Sequence, residues 1–461
     1  MTQSKISHVV MMGDSLSDRG TANEAYILGC IPMRYFAGLS GTSAKGRFTN
    51  GYVWADMIGA FFASDFMIKQ VKKKYQYSND DIADAIISKD RKIIDEIMYD
   101  YNLDNDLFIK FEGKDFIRSY DQGGLSSYDY AWTPSSSLIR FFSRIILPTL
   151  KGMRDKLFAY DKEHQLSSKH KSQSLVIEWS GANDLITVNA EPSIQEVDRA
   201  IKERTKNLEL LIQSGYRNFI WFNLPDLSLT PRFQNMKGEK GEKARKNASD
   251  CVNYFNQELA KASEQLKVMY PFCSFDIFDI NSTFVNAYQN PQDYGFDPKK
   301  LTQPYTTSDD FVILPNGTSP AQGYAFWDDI HPTADLHMIL ANMFYEQYKS
   351  KFNFIEPGTG DEEPHNITAT QLKKAFCARY EVSLAKDRSS FFGSFTKARI
   401  DQHKASLEDI LSYALHKNDK RTLQTLIDLQ WIDQQGNIKL NIPELHNAMN
   451  HVTQHQNISI V

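Results

Sequence analysis

The alternation of apolar and polar stretches divides the chain into short apolar runs, three of which end in glycine turns, and longer stretches of helical period. Ser7–Met12 is an apolar run broken at Gly13, and Leu175–Trp179 is another, broken at Gly181. Phe219–Phe222 and Cys273–Phe278 have the same character, and Asp115–Tyr120 runs into Gly123-Gly124. Each is short enough for a strand buried on both faces. Between them lie stretches of helical spacing: Val197, Ile201, Leu208, Leu211 and Ile212, then Ala248, Val252, Phe255, Leu259 and Leu266. Strand, helix, strand, helix in this order predicts an α/β protein with a parallel central sheet covered by helices on both faces.

Two further stretches have helical period. Ile82, Ile86, Ile93 and Ile97 predict a helical insertion over about 62–114. Leu138, Ile139, Phe141, Phe142, Ile145, Ile146 and Leu147, with Arg140 and Arg144 between them, fit a core helix lying on the sheet. The other reading is a lid or a helix that touches a membrane, because an apolar face with basic flanks suits an anionic lipid surface. The stretch from Tyr288 to Phe326 has no regular period, and long loops of that kind are commonly functional or disordered. At 356–368 the chain becomes rich in Gly, Pro and acids, which reads as a linker. Helical spacing resumes beyond it. The expected organisation is a first domain over 1–355 and a small α-helical domain over 369–461, of the kind that binds a protein partner or covers a core.

Composition narrows the class. The 461 residues are 41% hydrophobic and 24% charged, with a formal net charge of −5. These are values of an ordinary globular protein, without the basic surplus that nucleic-acid binding requires. Cys30, Cys251, Cys273 and Cys377 form no CxxC pair and read as reduced core thiols. Met1–Lys5 is polar and the first strand begins at once, so no N-terminal signal peptide is expected. Synthesis in a cytoplasm follows, with export by a signal-independent route as the other course. His451 and His455 have a helical ligand spacing, but no carboxylate or cysteine set accompanies them. No metal site and no cofactor are expected.

The chemistry gathers at the ends of the predicted strands. Gly13-Asp14-Ser15-Leu16-Ser17-Asp18 places a serine where open α/β sheets hold their ligands. Asp328 and His331 stand three positions apart just before a helix, and one turn lets the carboxylate reach Nδ1 of the imidazole. Nε2 is then free for a serine brought from elsewhere, which is what a serine nucleophile requires. Gly124 and Asn183 can supply a backbone N–H and a side-chain amide at the same edge.

These blocks resemble the GDSL esterases and lipases of the SGNH hydrolase superfamily. The matching stretches are Gly13–Asp18, Gly123-Gly124, Gly181–Asp184 and Asp328–Thr333, with Asn223-Leu224-Pro225 as a further one. The resemblance implies a three-layer α/β/α sandwich, Ser15 as nucleophile, His331 as base and Asp328 as its partner. It also implies an oxyanion hole of Ser15 N–H, Gly124 N–H and the Asn183 amide, with Gly123 as the competing glycine. Gly46–Trp54 and Phe326-Trp327-Asp328 resemble the bacterial lipase and glycerophospholipid:cholesterol acyltransferase branch. The implied function is ester hydrolysis of a phospholipid or lysophospholipid, or acyl transfer to an alcohol such as cholesterol, with peripheral membrane contact. Tyr305, Phe311, Ile313, Leu314, Tyr324 and Phe326 are expected to line the acyl groove. A carbohydrate O-deacetylase of the same superfamily and a non-catalytic binding protein on this fold are the alternatives.

Overall fold

Gly13 closes the strand on which the rest of the sheet is built. The computed structural model describes residues 3–27, 30–97, 108–131, 133, 137–189, 191–358, 426–427 and 432–434. Its central sheet has six strands: β1 (His8–Gly13), β2 (Phe108–Phe111), β3 (Lys114–Ser119), β4 (Ser174–Trp179), β5 (Asn218–Phe222) and β6 (Ser274–Phe278). The spatial order is β2-β3-β1-β4-β5-β6. All neighbours are parallel except β2 and β3. That antiparallel edge was not legible as a strand. It is a tight hairpin turned at Glu112 and Gly113, both at positive φ (49° and 75°), as a two-residue hairpin turn requires.

The principal helices are α1 (Trp54–Tyr75), α2 (Leu138–Ile146), α3 (Leu150–Glu163), α4 (Ile194–Ser214), α5 (Gly238–Met269) and α6 (Ala334–Tyr348). On one face α1 packs with α6, where Trp54 and Phe344 meet Phe222 of β5. On the other, α4 lies between α3 and α5. Arg204 of α4 is fully buried there and donates to Glu178 Oε1 (2.8 Å), Ser180 O (3.1 Å) and Phe222 O (3.1 Å). One guanidinium thus ties the carboxyl ends of β4 and β5 together. This is the three-layer α/β/α sandwich, with one antiparallel edge strand added to the parallel sheet.

Three features depart from the periodicity. Helix α1 runs unbroken past Phe62, and Phe62 and Phe66 are buried in the main core. The peripheral helices are a short pair, Asn79–Ile87 and Arg91–Ile97, with their own cluster of Val71, Ile82, Ala85 and Ile93. In the last turn of helix α2 Arg144 is buried and bonded to Val188 O, Thr133 O and Asn189 Oδ1, while Ile145 and Ile146 are exposed. Finally, Cys30 is exposed, whereas Cys251 is buried and Cys273 half-buried. Cys377 lies outside the described residues, as do the linker from 359 on, His451, His455 and most of the C-terminal helical stretch. Of that stretch, Leu426 and Ile432 are buried and belong to the same apolar cluster as the sheet. Among the described residues no helix is long and apolar enough to cross a membrane.

Candidate active site

The chain leaves β1 first toward β3 on one side and later toward β4 on the other, so the crevice beyond its carboxyl end is the switch point of the sheet. Ser15 stands there, two residues past β1. Space requires the glycine before it, because a Cβ at Gly13 would lie 2.7 Å from Asp121 Oδ1 and 2.9 Å from Ser17 Oγ.

His331 arrives from the opposite end of the chain. Its Nε2 is 2.7 Å from Ser15 Oγ, and its Nδ1 is 2.7 Å from Asp328 Oδ2. The expected helical turn between Asp328 and His331 is absent. Trp327 N–H instead donates to His331 O (2.8 Å) and closes a tight loop. Inside it Asp328 Oδ1 accepts from Ile330 N–H (2.9 Å) and His331 N–H (2.6 Å). The same carboxylate therefore shapes the loop and holds the ring. Burial pushes the Asp328 carboxyl up, but the imidazole and the two amides outweigh it and hold the group below its ordinary range. Helix α6 starts only at Ala334, whose N–H donates to Asn50 Oδ1 (2.8 Å). Arg232 grips the loop from outside, its Nε 2.7 Å from Asp329 Oδ2.

Asn183 and the glycine pair face the same crevice. The Asn183 amide donates to Leu125 O (3.1 Å), lies 3.4 Å from Asp14 Oδ2, and has its own oxygen bound by Thr187 Oγ1 (2.6 Å). Gly123 N–H is committed to Asp18 Oδ2 at 2.7 Å. The N–H groups of Ser15 and Gly124 donate to no acceptor among the described residues. Gly124 has φ +82°, and a Cβ there would lie 2.4 Å from Leu147. Of the two glycines the second is thus the one with a free donor. Burial pushes the Asp14 carboxyl up to about 6.

Ser15, His331, Asp328, Gly124 and Asn183 all line one cleft of about 330 Å³, within the usual range for a small-molecule site. Its apolar walls are Met33, Phe36, Leu147, Ile186, Leu227 and Phe284. The loop from Tyr288 to Phe326 contributes none of them. Tyr305, Tyr324 and Trp327 instead form a separate small core with Phe48, and Phe326 is buried in the main one. Apolar residues next to the Asp–His loop in sequence are consumed in holding that loop. Among the described residues no group of acidic, histidine or cysteine side chains could hold a metal ion.

A profile described as GDSL-like lipase/acylhydrolase matches residues 9–344. The chain belongs to this family. Among its relatives this GDSL protein is 28% identical over 247 residues to the secreted effector protein SseJ of Salmonella typhimurium, a match covering 49% of this chain and 56% of that protein. It spans little more than half of that relative. A GDSL esterase/lipase of Arabidopsis thaliana is 24% identical over 353 residues, covering 75% and 90% of the two chains. The phosphatidylcholine-sterol acyltransferase of Aeromonas hydrophila is 22% identical over 392 residues, covering 76% and 92%.

Several residues that shape the site carried no sequence signal of their own role. Asp18 and Asp184 were legible only as parts of motifs. Phe48, whose ring centroid is 5.0 Å from that of His331, was legible only as part of the Gly46–Trp54 stretch. Asp56, gripped by Arg19 and Arg47 at 2.7 and 3.0 Å, had no local mark at all.

Proposed function

We propose that the chain is a serine ester hydrolase of membrane-derived lipids that works through an acyl-enzyme. The observation that carries this reading is the continuous chain of short contacts from Ser15 Oγ through His331 to Asp328. Ser15 Oγ attacks the ester carbonyl as its proton passes to His331 Nε2, and Asp328 stabilises the imidazolium without taking the proton. The tetrahedral oxyanion is met by Ser15 N–H, Gly124 N–H and the Asn183 amide, the last turning from Asp14 toward the substrate. Collapse breaks the ester C–O bond, and the alcohol leaves with the proton from His331. Water then attacks the acyl-enzyme with His331 again as base, releasing the acid and free Ser15. An alcohol in place of water yields a new ester, and the Aeromonas relative makes a sterol the acceptor to try.

The lipid preference rests on the walls of the cleft and on its rim. Met33, Phe36 and Leu147 reach the cleft; Phe36 is 66% exposed, and Ile145 and Ile146, next to Leu147 in the chain, are 47% and 44% exposed. An apolar rim around an apolar cleft is suited to a lipid surface. Each buried acyl methylene contributes roughly 0.8 kcal/mol. kcat/KM should therefore rise from acetyl through butyryl to octanoyl esters, and liposomes of mixed phospholipids should release free fatty acid. Preference for acetyl esters with no fatty acid released would favour the deacetylase instead. Adding cholesterol to the same liposomes and separating the products tests acyl transfer.

A further inference from the structure

The loop that carries Gly124 is held by carboxylates that no step of the proposed reaction uses. Asp18, the last residue of the serine block, is fully buried and receives all its hydrogen bonds from backbone amides. Oδ1 accepts from Gly20 N–H (2.9 Å) and Thr21 N–H (2.6 Å). Oδ2 accepts from Ala22 N–H (3.1 Å) and, across 105 positions of sequence, from Gly123 N–H (2.7 Å). At the far end of the same loop Asp184, also fully buried, accepts from Ser127 N–H (2.7 Å) and Tyr128 N–H (2.9 Å).

Burying a carboxylate without a cation is costly. Such a group persists where its acceptors fix something the fold cannot fix otherwise. Here the peptide that needs fixing is Gly123–Gly124. Neither residue has a side chain to lock it, and Gly124 sits at positive φ, where glycine has other accessible conformations. Packing limits the pair from outside, since a Cβ at Gly123 would lie 2.4 Å from the Phe48 ring. Packing alone does not orient an N–H. A short charge-assisted bond on Gly123 N–H fixes the peptide before it, and Leu125 N–H donating to Gln122 O (3.1 Å) closes the turn, so the peptide carrying Gly124 N–H is held from both ends.

We propose that Asp18 is a positioning residue for the oxyanion hole: its carboxylate, paired with Asp184 at the other end of the loop, aims Gly124 N–H at the carbonyl attacked by Ser15. The inference rests on the hydrolase reading above. It couples the nucleophile block to the glycine block, so that one loop presents both the hydroxyl and the alignment of an oxyanion donor.

The test is Asp18→Asn in the full-length chain. The amide keeps the size but turns an NH₂ group toward two of the four donors. A fluorophosphonate that labels Ser15 counts the competent sites, so partial unfolding is corrected for. Per labelled site, kcat on a soluble butyryl ester should fall by about 10²-fold, the scale of one oxyanion donor, with KM within about threefold. The labelling rate should fall in parallel, because the phosphonyl oxygen occupies the same hole. Unchanged kcat per labelled site would overturn the proposal and reduce Asp18 to a structural residue. Should the variant not fold, the wild-type chain still decides: Gly123 N–H must exchange slowly with solvent deuterium, and rapid exchange there overturns the proposal. A wild-type chain that neither reacts with fluorophosphonate nor cleaves any ester would overturn the hydrolase reading itself, and this inference with it.

Discussion

Ser15 Oγ and His331 Nε2 lie 2.7 Å apart although 316 positions separate them in the chain. The contact joins the first strand of the sheet to the loop before its last helix. It therefore depends on the register of the whole domain, and it makes the first prediction direct. Ser15→Ala should abolish ester hydrolysis, and His331→Ala should reduce it nearly as far, both with unchanged circular dichroism. Hydrolysis by Ser15→Ala at the wild-type rate would remove the nucleophile assignment.

Asn183→Ala removes an amide at the cleft without touching the Ser15–His331 contact. kcat should fall by about 10²–10³ while KM changes little. The amide also donates to Leu125 O, so a lowered melting temperature is expected alongside. A kcat within a few-fold of wild type would make Asn183 a turn residue only.

The exposed isoleucines of α2 separate membrane contact from chemistry. Burying one such side chain contributes roughly 1.5–3 kcal/mol. Ile145→Glu with Ile146→Glu should cut fatty acid release from liposomes at least about tenfold and leave hydrolysis of a soluble short-chain ester within about twofold. Equal loss on both substrates would place the two residues in the fold rather than at a lipid surface.

Leu426 is buried in the main core although it lies far beyond the linker stretch. Leu426→Ala should therefore destabilise the sheet domain by about 2–5 kcal/mol, as core truncations do. The buried Trp54 and Trp179 report its unfolding in denaturant. An unchanged tryptophan transition would show that the C-terminal stretch folds separately.

His337 of α6 is fully buried, and neither ring nitrogen has a hydrogen-bond partner among the described residues. Burial, with a smaller effect of nearby His331, lowers its pKa to about 3. The unfolded chain takes up this proton near pH 6.5, so the unfolded state binds more protons between the two values. The stability contributed by the neutral ring is complete above pH 6.5 and is lost as the pH falls toward 3. At pH 5 the loss is about 2 kcal/mol. Denaturant unfolding at pH 7.5 and pH 5 should show His337→Leu losing about that much less than wild type. An identical pH response in the two proteins would refute the assignment.

Much of the fold was legible because its signals are local. Runs such as Leu175–Trp179 are short, apolar and bounded by turn residues, and three of them end in glycine turns that place a polar residue at the sheet edge. The hairpin at Glu112-Gly113 was missed because one of its two positive-φ residues is a glutamate. The setting of Arg144, Ile145 and Ile146 in helix α2 was not legible because periodicity locates an apolar stripe but not the side from which it is covered. Arg144 finds three acceptors on residues 133, 188 and 189, and that turns it inward in place of Ile145 and Ile146.

By itself the sequence determined the α/β alternation, the strand ends that carry Ser15 and Asn183, and the pairing of Asp328 with His331. Each follows from contacts spanning a few residues, where steric limits and turn chemistry leave few choices. Only the tertiary structure decided that His331 reaches Ser15, that Asp18 takes the N–H of Gly123 and leaves that of Gly124 free, and that the 288–326 loop builds a support rather than the cleft. Those outcomes depend on which donor meets which acceptor when distant segments pack, and a buried amide is bound by whichever partner the packing brings within about 3 Å.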